Sequence, residues 1–319
     1  MSFDSNLMKS LEVFVAVAES GKTTLAARWL GISQSAVSQH IALLERSFDV
    51  TLFDRSVRPV RLTQAGMLFH RHAMRILNGV EDLVADMRHQ GLRPISNLRV
   101  GMQASIATTL TPDLVALAKS RFGVEDMTIH AGQSRDHAEM LRTRRADLVI
   151  TSDPLYDLDG LERHPILTES FLLVLPRDYA GPTGDIDALL GNLPLIRFAA
   201  TTNVGRLIEQ HLRRLKVTAP RVIQADRSSM VTACVARGMG FTFLTPSLLI
   251  DGFVERMPLN IRPLPLTGFS RSITLLARSR EFGTLPGDFA EVARRALIRQ
   301  VAAQMGRIGT DAIDIHDPG

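Results

Sequence analysis

Apolar residues recur at helical intervals at the start of the chain. Spacings of four and three along one face join Leu7, Leu11, Phe14 and Ala18, which predicts a helix. Gly21 ends it, and a second short helix is predicted over 24–30, with Gly31 at its left-handed C-terminal end. Ser33 is then placed to cap a third helix over 34–48. The N-terminal region is therefore expected to be α-helical.

The third predicted helix has two distinct faces. Its apolar face consists of Val37, Ile41, Leu44 and Phe48, and another face carries small or polar residues, namely Ser35, Ser38, Gln39 and Ala42. Two short helices joined by a tight turn, the second with a small polar outer face, are typical of a helix-turn-helix that binds the major groove of DNA.

A short basic hairpin is predicted after the third helix. Apolar residues over 50–53 and 60–62 flank the segment Asp54-Arg55-Ser56-Val57-Arg58-Pro59. Two short strands around a polar turn fit the wing of a winged helix-turn-helix.

A long helix is predicted from its cap, Thr63, to about residue 90. Its apolar seam repeats every seven residues through Phe69, Ala73, Ile76, Val80, Leu83 and Met87. Such a seam supports a coiled-coil-like contact with a second copy of the chain. The alternative is that the seam packs on the chain's own domain, but a long helix between separate domains has little else to contact.

Strands and helices alternate beyond a linker over 91–97. Strands are predicted over 98–102, 127–131, 147–151, 171–175, 195–198, 221–225, 241–244 and 272–277, with helices over 113–121, 136–144, 204–215, 229–237 and 288–305. The alternation implies parallel sheets in two α/β lobes with a cleft between them. The tail over 306–319 is expected to be loose.

Composition excludes several classes of protein. The chain is 45% hydrophobic and 22% charged, which is ordinary for a globular protein. Its longest apolar run covers 13–18, far short of the roughly 20 residues that a membrane span needs, and no secretory signal is evident. Cys234 is the single cysteine, so neither a disulfide framework nor a cysteine zinc cluster is expected. A cytoplasmic location is predicted.

Positive charge is concentrated near the N-terminus. The stretch from Lys22 to Arg75 holds eight basic and three acidic residues, a net charge of +5, whereas the rest of the chain carries 29 basic and 30 acidic residues, a net charge of −1. A local basic surface favours a polyanion, of which nucleic acid is the commonest. A solvated basic face without a partner is the alternative at this point.

One segment suggests an enzyme instead. Residues 16–23 match a relaxed phosphate-binding loop in which Ala16 replaces the first glycine, followed by Lys22 and Thr23. The missing glycine, the helical periodicity before it and the lack of an adjacent parallel sheet argue against nucleotide binding. A nucleotide-binding enzyme is kept as the alternative, and a solute-binding protein related to transport as a third hypothesis. No catalytic motif, metal site or cofactor is otherwise predicted, so the chain is not expected to be an enzyme.

Motifs along the N-terminal region resemble those of LysR-type transcriptional regulators. The resemblance is nearly continuous over 7–66 and rests on Phe14-Val15-Ala16-Val17-Ala18-Glu19-Ser20-Gly21, Ile32-Ser33-Gln34-Ser35-Ala36-Val37-Ser38, Leu52-Phe53-Asp54-Arg55 and Leu62-Thr63-Gln64-Ala65-Gly66. Lys22, Thr23 and Ser35 depart from the residues that are usual there.

The rest of the chain matches the effector domain of that family more loosely. Its best marks are Leu98-Arg99-Val100-Gly101, Arg145-Ala146-Asp147-Leu148-Val149-Ile150 and Val235-Ala236-Arg237-Gly238-Met239-Gly240-Phe241. The resemblance implies two lobes like those of periplasmic binding proteins, with crossovers near Thr168 and Leu266. It also implies a homodimer through the long helix, commonly paired into a tetramer, that regulates promoters in response to a small molecule, with RNA polymerase as a further partner.

The domain boundaries follow from these elements. We expect a winged helix-turn-helix over 1–62, a linker and dimerisation helix over 63–91, and an effector domain over 92–305, with lobe I over 97–167 and 267–305 and lobe II over 168–266.

Candidate DNA-binding residues fall on the helix-turn-helix and the wing. We expect four residues of the third helix to reach base edges in the major groove: Gln34, Ser35, Ser38 and Gln39. Phosphates should be held at helix starts by Lys22, Thr24 and Ser33, and Arg55 and Arg58 should lie along the DNA backbone or in the minor groove.

Candidate effector-binding residues follow strands of both lobes. Ligands of open α/β sheets bind beyond the carboxyl ends of strands, in the crevice. Three segments are placed there, namely Gln103-Ala104-Ser105, Thr201-Thr202-Asn203 and Thr245 with the proline after it. Free amides at helix starts favour an anion, so the effector is expected to be a small organic acid. Arg135 or Arg227 could add positive charge, and helix capping is the alternative role of each hydroxyl.

Overall fold

The computed structural model describes residues 6–57, 59–88 and 95–314. It divides into two compact units, one built from residues 1–93 and 142–145 and the other from 94–141 and 146–319. The first unit contains α1 (Leu7–Ser20), α2 (Thr23–Leu30), α3 (Gln34–Phe48), β1 (Phe53–Asp54), β2 (Arg61–Leu62) and α4 (Gln64–Arg88). The three predicted short helices and the hairpin after them are all present.

The core of the first unit is aromatic at its centre. The Phe14 ring is fully enclosed, and its centroid lies 5.2 Å from that of Phe53 and 4.9 Å from that of Phe69. Val37 and Leu44 of α3 are buried in the same core. Burying this apolar face leaves the opposite face of α3 in solvent.

Glycines shape two junctions of the first unit. Gly21 adopts φ +64°, which allows α1 to end and brings its carbonyl oxygen 3.1 Å from the Val60 amide nitrogen of the hairpin. Gly66, in the first turn of α4, packs so closely on β1 that a Cβ there would lie 2.0 Å from the Leu52 carbonyl oxygen. Thr63 caps this turn, since its Oγ1 accepts a hydrogen bond from the Gly66 amide at 2.9 Å.

The predicted seam of α4 is only partly covered within this unit. Ala73 is buried and Phe69 is half-buried, whereas Ile76 and Val80 are 43% and 39% exposed. The side chains of Leu83 and Met87 lie outside the described residues.

The second unit consists of two lobes. In chain order its elements are β3 (Asn97–Gln103), α5 (Ala104–Phe122), β4 (Asp126–Gly132), α6 (Ser134–Arg142), β5 (Leu148–Thr151), β6 (Leu161–Ser170), β7 (Leu172–Pro176), α7 (Ile186–Asn192), β8 (Ile196–Phe198), α8 (Asn203–Arg214), β9 (Ile223–Ala225), α9 (Ser228–Ala236), β10 (Thr242–Leu244), α10 (Pro246–Asp251), β11 (Leu259–Arg262), β12 (Ser270–Arg278), α11 (Leu285–Thr310) and β13 (Ile313–Asp314).

The sheets are mixed, which corrects the prediction of parallel sheets. Lobe I has the strand order β13-β6-β12-β5-β3-β4, in which β3 is parallel to β4 and β5 while β12 is antiparallel to β5 and β6. Lobe II has the order β10-β7-β11, all antiparallel, and a parallel pair of β8 and β9. The strands at the two crossovers, β6 and β12, run in opposite directions and pair with each other in lobe I.

The last helix contributes to both cores. Phe289 and Ala293 of α11 belong to the core of lobe I, whereas Val301 and Met305 belong to that of lobe II. The prediction of a loose tail from 306 is wrong as far as 314, because α11 continues past a kink at Gly306 and β13 pairs with β6. Residues 315–319 of the predicted tail lie outside the described residues.

Candidate functional site

Two surfaces collect the predicted site residues, one in each unit. In the first unit, Ser33 caps α3 as predicted, because its Oγ accepts a hydrogen bond from the Ala36 amide at 3.2 Å. The buried face of α3 then fixes which residues point outward. Gln34, Ser35, Ser38 and Gln39 are all exposed.

A groove of about 830 Å³ lies between α2, α3 and the hairpin. We call it the α3 groove, and its lining includes Lys22, Thr24, Gln34, Ser38 and Arg55. Ser33, Ser35 and Gln39 are exposed outside this lining, and Arg58 lies outside the described residues. The structure thus brings cations and amide or hydroxyl side chains to one concave surface.

Glu45 orients the arginine of the groove. Its Oε2 accepts a hydrogen bond from Arg55 Nη2 at 2.8 Å, and its Oε1 accepts one from the Leu52 amide at 2.9 Å. The carboxylate therefore joins α3 to the hairpin and holds the guanidinium at the groove edge. Sequence reasoning missed this role because the partners are seven and ten residues away, with no periodic signal to connect them.

The segment that matched a phosphate-binding loop is the end of a helix. Residues 16–20 lie in α1, and Gly21 starts the turn into α2. A phosphate-binding loop needs a strand before it, so that backbone amides can surround the phosphates. Helical geometry over 16–20 removes that arrangement, and the nucleotide-binding alternative finds no support.

In the second unit, a cavity of about 100 Å³ lies between the lobes. Five predicted residues line it, namely Gln103, Ala104 and Ser105 from lobe I and Thr202 and Asn203 from lobe II. They come together because both segments follow the carboxyl ends of strands, β3 and β8. We call this space the cleft cavity.

Ser152 connects the two lobes across the cleft. Its Oγ accepts hydrogen bonds from Gln103 Nε2 at 2.6 Å and from Asn203 Nδ2 at 2.7 Å. Sequence reasoning missed Ser152, although it directly follows β5 and the rule that selected Gln103 would have selected it too.

Two predicted residues do not line the cavity. Thr201 is exposed, and Thr245 is fully buried behind the cavity, where its Oγ1 donates a hydrogen bond to Glu169 Oε2 at 2.9 Å. Thr202 lines the cavity, but its hydroxyl already caps α8 by accepting a hydrogen bond from the Gly205 amide at 2.9 Å.

A buried ion pair closes one side of the cavity. Glu169 of β6 and Arg271 of β12 face each other, each with a side chain only 1% exposed, and Arg271 Nε donates to Glu169 Oε2 at 3.1 Å. Arg271 Nη2 donates to Ser247 Oγ at 2.6 Å and reaches Ser105 Oγ at 3.5 Å. Arg271 lines the cavity, where its positive charge is paired with the Glu169 carboxylate. No motif revealed this arginine.

Carboxylates also face the cleft cavity. Asp251 and Asp226 line it together with Arg227. Burial raises the pKa of Asp251, and the Ser228 hydrogen bond and the charges of Arg227 and Arg271 only partly oppose this effect. The side chain of Arg135 lies outside the described residues.

Residues 6–57, 59–88 and 95–314 contain neither a metal-binding cluster nor a membrane-spanning helix. Within these ranges, no cluster of three or more His, Cys, Asp or Glu side chains is arranged to hold a metal ion. None of the helices in these ranges has both the length and the apolar character needed to cross a membrane.

Comparison with known proteins covers both units. Residues 8–67 match the family model of the bacterial regulatory helix-turn-helix protein of the lysR family, and residues 93–301 match the LysR substrate binding domain. The HTH-type transcriptional regulator YfeR of Shigella flexneri is 28% identical, over 90% of this chain and 93% of its own length.

Solved structures share the fold. A full-length OxyR variant of Pseudomonas aeruginosa superposes with a TM-score of 0.65 at 18% identity, covering 99% of this chain and 100% of its own. Full-length CbnR, solved with its target DNA, gives a TM-score of 0.61 at 19% identity, covering 91% of this chain and 99% of its own. With a helix-turn-helix unit, a two-lobed unit and family matches over both, the chain belongs to the LysR family of transcriptional regulators.

Proposed function

We propose that this regulator binds operator DNA through the α3 groove, as a homodimer, and responds to a small carboxylate that enters the cleft cavity. The observation that carries the DNA part is the joint placement of Lys22, Gln34, Ser38 and Arg55 on one concave surface. CbnR, whose fold is similar, has been solved with its target DNA.

Each part of the groove has a distinct role in this proposal. The exposed residues Gln34, Ser35, Ser38 and Gln39 read base edges, because hydroxyl and amide side chains can pair with bases in the major groove. Lys22, Thr24 and Ser33 lie at helix starts and hold phosphates, while Arg55 and Arg58 follow the backbone or the minor groove.

Self-association rests on α4. Ile76 and Val80 expose apolar surface at seam positions of this helix, and a partner helix is the simplest way to cover such a seam. Two recognition helices would then bind two half-sites of a roughly palindromic operator. Pairing of dimers into a tetramer and contact with RNA polymerase extend the same proposal.

The effector part rests on the cleft cavity. The helices α5 and α9 begin there without a side-chain cap, after Gln103 and Arg227 respectively. Together with Arg227, which lines the cavity, their first amides favour a carboxylate. Because both units match a family of transcriptional regulators, we assign the protein a regulatory rather than a catalytic role. Its proposed location is the cytoplasm, where bacterial DNA lies.

The DNA part is tested with an operator selected from random sequence by the full chain. Arg55→Ala should weaken binding to every sequence and reduce the slope of log K against log salt by about one. Gln34→Ala should instead reduce the preference for operator over random DNA, by about 1–3 kcal/mol if it reads one base pair.

Lys9→Ala provides the control for these variants, because Lys9 is a half-buried cation of α1 that pairs with Glu12 outside the groove. An unchanged salt slope in Arg55→Ala, or a Gln34→Ala variant that loses equal affinity for all sequences, would contradict the assigned roles.

A further inference from the structure

The cleft cavity carries charges of both signs. Arg271 is almost fully buried and Asp251 is half-buried, whereas Asp226 and Arg227 are exposed. The positive charge of Arg271 acts on the Asp251 carboxylate, so these two groups lie within electrostatic reach of each other. A ligand that enters the cavity therefore meets a cation and an anion a short distance apart.

The negative side of the cavity calls for a hydrogen-bond donor. Burial of Asp251 disfavours its charged form, a cost that a cationic partner would remove. Gln133 also lines the cavity, and its buried Oε1 has no hydrogen-bond partner in the described part of the chain. Buried acceptors of this kind are normally satisfied, and a bound ammonium can satisfy both.

The positive side calls for an acceptor. Arg227 and the uncapped starts of α5 and α9 meet at the cavity, whereas the guanidinium of Arg271 is already paired there with Glu169. A simple organic acid would match this side, yet its carboxylate would share the space with Asp251 at a cost of like-charge repulsion. A simple amine would meet Arg227 in the same way.

From this arrangement we propose that the effector is a small zwitterion of the α-amino acid type. Its ammonium binds Asp251 and Gln133, and its carboxylate binds Arg227 and the starts of α5 and α9. The inference rests on the proposed function and narrows its carboxylate to one that carries an amine on the neighbouring carbon. A cavity of about 100 Å³ holds roughly the volume of three waters, which suits a small side chain.

The test measures binding of three matched series to the full chain by thermal shift and calorimetry. The series are the L-α-amino acids, the same acids without the amine, and the same amino acids with the carboxylate replaced by a carboxamide. At least one amino acid should raise Tm and bind at least about tenfold more tightly than both of its counterparts.

Variants then assign the ammonium site. Asp251→Asn should weaken binding of that amino acid by about tenfold or more, while binding of the matching acid without the amine stays equal or improves. Asp187→Asn makes the same change at an exposed position of α7 outside the cavity and should alter affinity less than about threefold. Gln133→Met removes the acceptor but keeps the length of the side chain. As an independent second variant, it should also weaken binding of that amino acid.

Three results would contradict the proposal of a zwitterionic effector. They are equal binding of the acids without the amine, equal binding of the carboxamides, or binding by no L-α-amino acid. Tight binding of an acid without the amine would leave the proposed carboxylate effector intact. Operator binding, measured on the same samples, tests the proposed DNA-binding function separately from the effector.

Discussion

The imidazole of His137 is fully buried in lobe I, against Gly101 of β3. A Cβ at Gly101 would lie 3.4 Å from His137 Cδ2, so the ring packs directly against this strand. Burial lowers the pKa of His137 to about 4, and neither the nearby Met102 backbone nor the charge of Asp136 offsets this effect. The ring is therefore neutral in the folded protein at physiological pH.

This burial predicts a pH dependence of stability. Unfolded histidine titrates near 6.5, so between pH 6.5 and about 4 the unfolded chain binds a proton that the folded chain does not. The free energy of unfolding should fall by about 3 kcal/mol as pH drops through this window. Urea unfolding in that range should show the loss in the native chain and a flatter profile in His137→Gln. His130→Gln, at an exposed position of β4, should keep the native profile. A native slope in His137→Gln would contradict this origin.

At the scale of elements, the start of α4 depends on a residue without a side chain. The close approach of Gly66 to the Leu52 carbonyl leaves no space for a Cβ. Gly66→Ala must therefore shift the helix or the hairpin, and we expect a loss of about 2–3 kcal/mol in unfolding free energy.

Gly79 provides the matched control within the same helix. A Cβ at Gly79 would meet nothing within 4 Å, so Gly79→Ala should stabilise α4 by about 0.5–1 kcal/mol through helix propensity. Denaturant unfolding of both variants gives the comparison. A Gly66→Ala protein as stable as the native chain would show that the junction is looser than the structure indicates.

Elements with strong local signals were predictable from the sequence, and others were not. The bounds of α3 agree with the prediction because a capping serine, an apolar face and an apolar end all coincide at 33–48. The start of α5 was placed nine residues too late, since Pro112 lies inside the helix and disguises it. The strand β6 was missed because its outward residues are charged. Arg163, for example, satisfies carbonyl oxygens of Pro154 and Leu155 that no local pattern reveals.

The residues of the cleft cavity likewise include some that the sequence predicts and some that it does not. Gln103 and Asn203 could be selected because the ends of parallel strands share an edge of a sheet. Arg271 could not, because it belongs to an antiparallel strand far along the chain whose neighbours only folding determines. Helix starts alone predicted an anionic effector, whereas the folded cleft cavity is lined by charged side chains of both signs.

At the scale of the whole molecule, the main expectation concerns association through α4. Ile76→Asp combined with Val80→Asp places two charges on the exposed part of the seam and should yield monomers in analytical ultracentrifugation, because burying an unpaired charge is costly. Arg71→Asp, at another exposed position of α4, should remain associated. A persisting dimer in the double variant would place the main interface elsewhere.

The helix α11 limits how the lobes can move. Phe289 of α11 is buried in the core of lobe I and Val301 in that of lobe II. The two lobes are therefore joined by this helix as well as by their crossover strands. Withdrawing Val301 from its core would cost about 1.5–3 kcal/mol, which is comparable to the roughly 2.7 kcal/mol that a ligand supplies at a hundred times its Kd. A wide hinge opening would therefore consume the whole binding energy. We therefore expect a ligand to displace α11 by only about an ångström relative to the two cores.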